Sequence, residues 1–195
     1  MIKNTFTLPA GYKQIAKIDL LNNKRQFLIV NIGAIIIAAV MFLAALFWHP
    51  VSIKLAEGGI WLLLAKIIIF IAAVLVYMVC HELVHGFFIK LFSGKKAKYG
   101  FGLGYAFAGS EAYFNKVSYV IIALSPIVFW GLVLLILNIL FPAWFWVIYG
   151  VQIINVSGAM GDFYVTYRMF CLPKAILVQD TGTAMTVFGA VEYEH

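Results

Sequence analysis

Charged side chains are scarce in this sequence: Asp, Glu, Lys and Arg make up 11% of its 195 residues, while 64% are hydrophobic. A soluble domain carries roughly a quarter charged and half apolar residues. A chain this short leaves much of its surface exposed, so it cannot hide such an apolar excess in a core. A lipid bilayer is therefore the expected solvent. Cysteine is nearly absent as well. Cys80 and Cys171 lie far apart, matching neither a disulfide framework nor a metal-ligand spacing, and read as packing residues. Residues 1–26 hold no short apolar run ending at a small-residue cleavage site, so the first long apolar run is expected to stay as an anchor. No internal repeat is visible, which disfavours a transporter built from paired halves.

What is present is helix of membrane-crossing length. About 20 apolar residues span a hydrocarbon core, and four segments qualify: 27–48, 60–91, 117–141 and 143–169. The expected class is an all-α polytopic membrane protein, with residues 1–26 as a polar lead-in and 170–195 as a small tail. Lys66 is expected to snorkel from the first turns of the overlong second span. Trp48, Trp61, Trp144 and Trp146 gather near one set of helix ends, as an interfacial belt does. The formal charge of +6 is unevenly placed. Lys3, Lys13, Lys17, Lys24 and Arg25 precede the first span, and Lys90, Lys95, Lys96, Lys98 and Lys116 sit between the second and third. Arg168 and Lys174 follow the fourth, leaving Lys54 and Lys66 for the other side. The positive-inside rule then puts both termini and the 92–116 loop in the cytosol. The basic excess signals topology, and nucleic acid is not an expected partner.

Two segments outside the spans have period-2 character. From Tyr99 to Ala108 large and small residues alternate without a miss, so a β segment over 97–109 is expected, re-entrant or interfacial. The bare positions Gly100, Gly102 and Gly104 would let another backbone approach, such as a peptide substrate. Around Asp180-Thr181-Gly182 the tail reads as a hairpin. That triplet is better a turn than an aspartic-protease site, which needs two such carboxylates.

The chemistry lies in His81-Glu82-Leu83-Val84-His85. On a helix, residues four apart share a face, so both imidazoles can reach one ion while Glu82 is placed to take a proton from a water beside it. Three ionisable residues in five positions of an apolar helix are costly and seldom occur without a function. A catalytic zinc site takes three protein ligands and keeps one position open. Besides Glu82, Asp162 is the acidic residue inside a span. Counting from Lys90 and Arg168 at 1.5 Å per residue, His81, His85 and Asp162 lie about 13, 7 and 9 Å inside the same boundary. Asn155, two turns before Asp162, could orient a ligand, hold a substrate carbonyl or bind a neighbouring helix. Pro126 is expected to kink the third span. His49 and Glu111 read as an interfacial and a solvated residue.

This combination, His81-Glu82-Leu83-Val84-His85 in one spanning helix and Asp162 on a later one, resembles the intramembrane metalloproteases of the site-2 protease type. More closely, nearly the whole chain looks like a small bacterial membrane family of "putative zincin peptidases", long filed as a domain of unknown function. That likeness runs through Leu8-Pro9-Ala10-Gly11-Tyr12-Lys13, Ile18-Asp19-Leu20, residues 81–88, the glycine-rich strand, residues 123–127 and the tail around Asp180. It implies Zn2+ on His81, His85 and Asp162, Glu82 as the base, a strand that pairs with substrate, and a bacterial plasma membrane. The site-2 pattern Asn-x-x-Pro followed by Asp-Gly is only partly kept: here Asn155-Val156-Ser157-Gly158 precedes Gly161-Asp162-Phe163. The expected function is a zinc endopeptidase acting on membrane-associated protein or peptide near the cytosolic face. The alternative is a metal-binding membrane scaffold without proteolysis.

Overall fold

Apolar runs this long form helix because helix satisfies every backbone polar group within its own segment. The computed structural model describes residues 2–50, 59–102, 105–182 and 184–190. Lys54 and Gly104, both weighed above, lie outside them. Among the described residues four helical segments are long and apolar enough to cross a membrane: α1 (Lys24–Trp48), α2 (Gly59–Ser93), α3 (Lys116–Leu140) and the composite Pro142–Phe170. The composite begins with a short 3-10 turn, Pro142–Trp144, and then breaks into α4 (Phe145–Gly158) and α5 (Met160–Phe170). The single fourth span expected from the sequence is thus two helices that meet at Ala159. The outward faces of the helices are apolar; Phe47 on α1, for example, is 87% exposed. At the end away from the strands, Lys66 reaches back over the Trp144 ring and His49 stacks on Phe145.

The chain is not all-α. Two antiparallel sheets cover the opposite helix ends. The larger joins β1 (Tyr12–Ile18), β4 (Tyr113–Asn115), β5 (Ile176–Asp180) and β6 (Met185–Ala190) in the order β1-β6-β5-β4. The tail hairpin expected around Asp180 is β5 and β6, flanked by a strand from the lead-in and another from the loop before α3. Lys13, Gln14 and Lys17 masked β1, whose better-covered residues are Tyr12, Ala16 and Ile18. The smaller sheet pairs β2 (Lys98–Gly102) with β3 (Tyr105–Gly109). The 97–109 segment is therefore a hairpin and not one strand. Its register explains the alternation: Tyr99 pairs with Ala108, Gly100 with Phe107, Phe101 with Ala106 and Gly102 with Tyr105. Each large residue faces a small one across the ladder, which avoids crowding on both faces.

One buried cluster ties the larger sheet to the helix ends. Ile18, Phe114, Ile176, Val178 and Val187 from the strands meet Ile89, Ile122 and Met169 from the helices. Asn4 staples the same junction. Its Nδ2 donates to the Phe92 carbonyl at the end of α2 and to Ser118 Oγ, both at 3.1 Å, and its Oδ1 accepts from the Asn115 amide. Asn115 in turn caps α3 by accepting from the Ser118 amide at 2.9 Å.

The turn between β5 and β6 is tied down separately. Gly182 adopts φ +88°, a left-handed conformation that favours glycine, and its amide donates to Asp180 Oδ1 at 2.8 Å. Tyr119 Oη donates to Asp180 Oδ2. Burial pushes the Asp180 carboxyl above its ordinary value, and the bonds from Tyr119 and Gly182 offset part of that. A carboxyl raised on folding contributes stability below its unfolded pKa and loses it as pH climbs through the folded value. Thermal unfolding in detergent should therefore show the wild type losing ground to Asp180→Asn as pH rises above the ordinary carboxylate range. Tyr119→Phe should cost about 1–3 kcal/mol. A pH-independent difference between wild type and Asp180→Asn would contradict the first expectation.

Candidate metal centre

Tyr77, His81 and His85 recur every fourth residue along α2 and so share one face. That face looks across at the first turn of α5. His81 Nε2 lies 3.6 Å from Asp162 Oδ2, and His85 Nε2 lies 3.7 Å from Asp162 Oδ1. One ligand atom from each of the three residues falls within 4.8 Å of the other two. The break between α4 and α5 delivers the carboxylate: Phe163 N–H bonds back to Ala159 O at 3.0 Å, restarting the helix with Asp162 in its opening turn.

The opposite nitrogen of each imidazole is held by protein, and the partners decide where the protons sit. His85 Nδ1 is 2.9 Å from the Ile122 carbonyl. A carbonyl only accepts, so Nδ1 carries the proton and Nε2 presents its lone pair. His81 is fixed through a longer relay. Asn155 Nδ2 donates to the Ile127 carbonyl at 3.3 Å, which leaves its Oδ1 to accept from Tyr77 Oη at 2.9 Å. Tyr77, having spent its proton there, accepts from His81 Nδ1 at 2.8 Å. His81 Nε2 is again left as a lone pair facing Asp162.

These residues fit a zinc ion. The two contacts to Asp162 are too long for hydrogen bonds. They approach the separation of about 3.4 Å that tetrahedral geometry imposes between ligands bound at about 2.0–2.1 Å. Two neutral imidazoles aimed by outer-shell partners, together with one carboxylate, are a donor set typical of catalytic zinc.

A cavity of about 540 Å³ opens at the trio. Glu82 lines it without joining the ligand group, and the Ala108 backbone amide is directed at the Glu82 carboxylate. The β2–β3 hairpin reaches this point because Gly86, one residue past His85, has no side chain. A Cβ there would run into the Tyr99 hydroxyl. Phe107 lies against Gly100 and Gly182, where added Cβ atoms would run into its ring. Ala106, Phe107 and Ala108 form one wall, Asp180 and Gly182 another, and Ile18 and Leu20 from the N-terminal segment a third.

The structure therefore brings together His81, Glu82, His85 and Asp162. Asn155 is wholly buried, with both ends of its amide engaged, and is not among the residues lining the cavity; its position is that of an orienting residue. Gly100 receives the Phe107 ring, and Gly102 ends β2 opposite Tyr105. Sequence reasoning missed Tyr77, although its place one turn before His81 was a usable signal. It also set Asp180 aside as a turn residue, whereas that carboxylate reaches the same cavity. Glu111 is exposed and pairs with Lys98.

A family model described as "Putative zincin peptidase" matches residues 74–177, from the turn before Tyr77 through the start of β5. No curated protein and no solved structure matches the chain.

The wild type should bind one zinc ion per chain, read by metal analysis after gel filtration. His81→Ala and Asp162→Ala should lose it, and Glu82→Gln should keep it. Tyr77→Phe leaves the ring but removes the acceptor for His81, and should weaken zinc about 10- to 100-fold in a chelator competition. Full zinc retention by Asp162→Ala would remove Asp162 from the site.

Proposed function

Because the chain belongs to this zincin-peptidase family, we propose that it is a zinc endopeptidase resembling the site-2 type, cutting membrane-associated polypeptides near the cytosolic face of a bacterial plasma membrane. The observation that carries this reading is the cavity: two lone-pair imidazole nitrogens, the Asp162 carboxylate and the separate Glu82 carboxylate share one space. A site that only stores or structures a metal has no use for Glu82.

Zinc held by His81, His85 and Asp162 would supply a Lewis acid and bring the pKa of its water toward neutrality. The rest falls to the chain. Glu82 accepts the proton released by the attacking water and returns it to the leaving amine nitrogen. Helical substrate has its carbonyls tied up in hydrogen bonds and must unwind before attack. The β3 edge not paired with β2 borders the cavity, so an unwound segment can add there as a further strand, its backbone laid past Glu82. The bilayer setting rests on the four apolar helical segments and on the lysines and arginines gathered at the sheet-covered ends.

The test uses purified protein in detergent with single-span polypeptide substrates. Cleavage is expected, abolished by a zinc chelator and restored by zinc. Glu82→Gln should retain metal and lose cleavage by about 100-fold or more. A zinc-loaded wild type that cleaves none of a broad panel would favour the scaffold reading. Undiminished cleavage by Glu82→Gln would end the proposed mechanism.

A further inference from the structure

In an α-helix the carbonyl of residue i−4 accepts from the amide of residue i. Pro126 sits inside α3 and has no amide hydrogen. The acceptor it leaves without a helical partner is the carbonyl of Ile122, the same oxygen that meets His85 Nδ1 at 2.9 Å. Ser125 Oγ donates to it as well, also at 2.9 Å. All three α3 residues are buried, with Ile122 at 5% exposure. An orphaned carbonyl at such depth would be costly, and two side-chain donors satisfy it instead.

We infer that Pro126 is a positioning residue for the metal centre: it vacates the Ile122 carbonyl so that this oxygen can hold the His85 Nδ1 proton and leave Nε2 as a lone pair. The inference rests on reading the trio as a metal site. A residue with an amide at 126 would put a third donor on one oxygen already bonded twice. The helical amide is covalently placed for the bond, whereas His85 reaches it from another helix, so His85 is the donor that gives way. The proline ring also presses on the carbonyl four residues earlier, turning it off the helix axis toward a lateral partner. His81 depends on no such vacancy, since its orientation comes from Tyr77 and Asn155. The two imidazoles are thus fixed by independent devices, one made of side chains and one made by deleting a backbone donor.

The experiment compares wild type, Pro126→Ala and Ser125→Ala in detergent, with zinc alone as the ligand and apo protein labelled with 15N-histidine. At a pH of about 8, where imidazole is neutral, NMR reports which ring nitrogen carries the proton. Apo wild type should show His85 protonated at Nδ1. Pro126→Ala should shift His85 toward the Nε2–H form while His81 keeps its wild-type signal, and should bind zinc about 10- to 100-fold more weakly. Ser125→Ala removes a competitor for the oxygen and should match or exceed wild-type zinc affinity. Folded Pro126→Ala with an unchanged His85 tautomer and unchanged zinc affinity overturns the inference. If that variant does not fold, the wild type still decides, because an apo His85 protonated at Nε2 overturns it without any substitution. Failure of the metal reading looks different: wild type would take up no zinc while its apo spectrum kept the Nδ1 proton on His85.

Discussion

A polar atom buried among apolar helices is costly without a partner, and around His81 and His85 that cost aims the candidate metal centre. Water would let an imidazole ring turn and exchange tautomers freely. Between α2, α3 and α4 the available acceptors are few and fixed. The Ile122 carbonyl holds one ring, and Tyr77, backed by Asn155, holds the other. Each bond takes the one proton of a neutral imidazole and so determines the lone pair on the opposite nitrogen. Two lone pairs then converge with a carboxylate at distances too long for hydrogen bonds and close to those across a shared ion. The bonds that satisfy these imidazole, phenol and amide donors also assemble the ligand set.

The cavity depends on missing side chains as much as on those present. Gly86 lets Tyr99 cross α2 beside His85, and Gly100 and Gly182 leave room for Phe107. An alanine at any of these would drive a Cβ into a ring, and the ring would have to leave. At Gly86 that clash would unseat the hairpin from α2, where the Ala108 amide meets Glu82. The larger sheet closes the same space from the end, with Ile18 at its rim and the Asp180 turn tied to α3 through Tyr119. Strands at a helix end would be poor membrane-crossing elements. Here their apolar residues are spent on the helix ends, and their lysines face outward.

Legibility in the sequence followed the range of the interaction. The helical segments were plain because each is a property of one stretch, and His81, Glu82 and His85 were plain because four residues on a helix is a fixed geometry. Asp162 could be matched to them in depth, since helical rise is also a local quantity. What failed was everything set by pairing. In β1 the apolar residues Tyr12, Ile15, Ala16 and Ile18 do not alternate, because a bulge falls between Gln14 and Ala16, so nothing in residues 12–18 alone announces a strand; its partner is β6, far along the chain. The 97–109 hairpin passed for one strand because its large–small alternation runs from Tyr99 to Ala108 without a break. The clue was present in the alternation itself, which the register of β2 on β3 converts into large-against-small pairs. Tyr77 and Asp180 were passed over because their roles depend on what faces them, Asn155 in one case and Tyr119 in the other.

The fourth helical segment shows why one continuous helix would not serve. Asn155 and Asp162 are seven residues apart, a spacing that keeps both on one side of an ideal helix. Yet they have different tasks: Asn155 must be buried against Tyr77 and Ile127, while Asp162 must look into the cavity. The break at Gly158–Ala159 separates them. α4 ends with Asn155 in its last turn, packed at 0% exposure, and α5 restarts with Asp162 at its opening, where backbone amides favour a carboxylate. Gly161 lets Leu20 of the lead-in close against this first turn, since even an added Cβ would sit 3.3 Å from it. A helix continued through 158–161 would hold the two side chains in a fixed relation and close the turn that admits Leu20. By breaking there, the chain obtains a buried orienting amide and a cavity-facing carboxylate from one apolar segment, each set by its own local backbone.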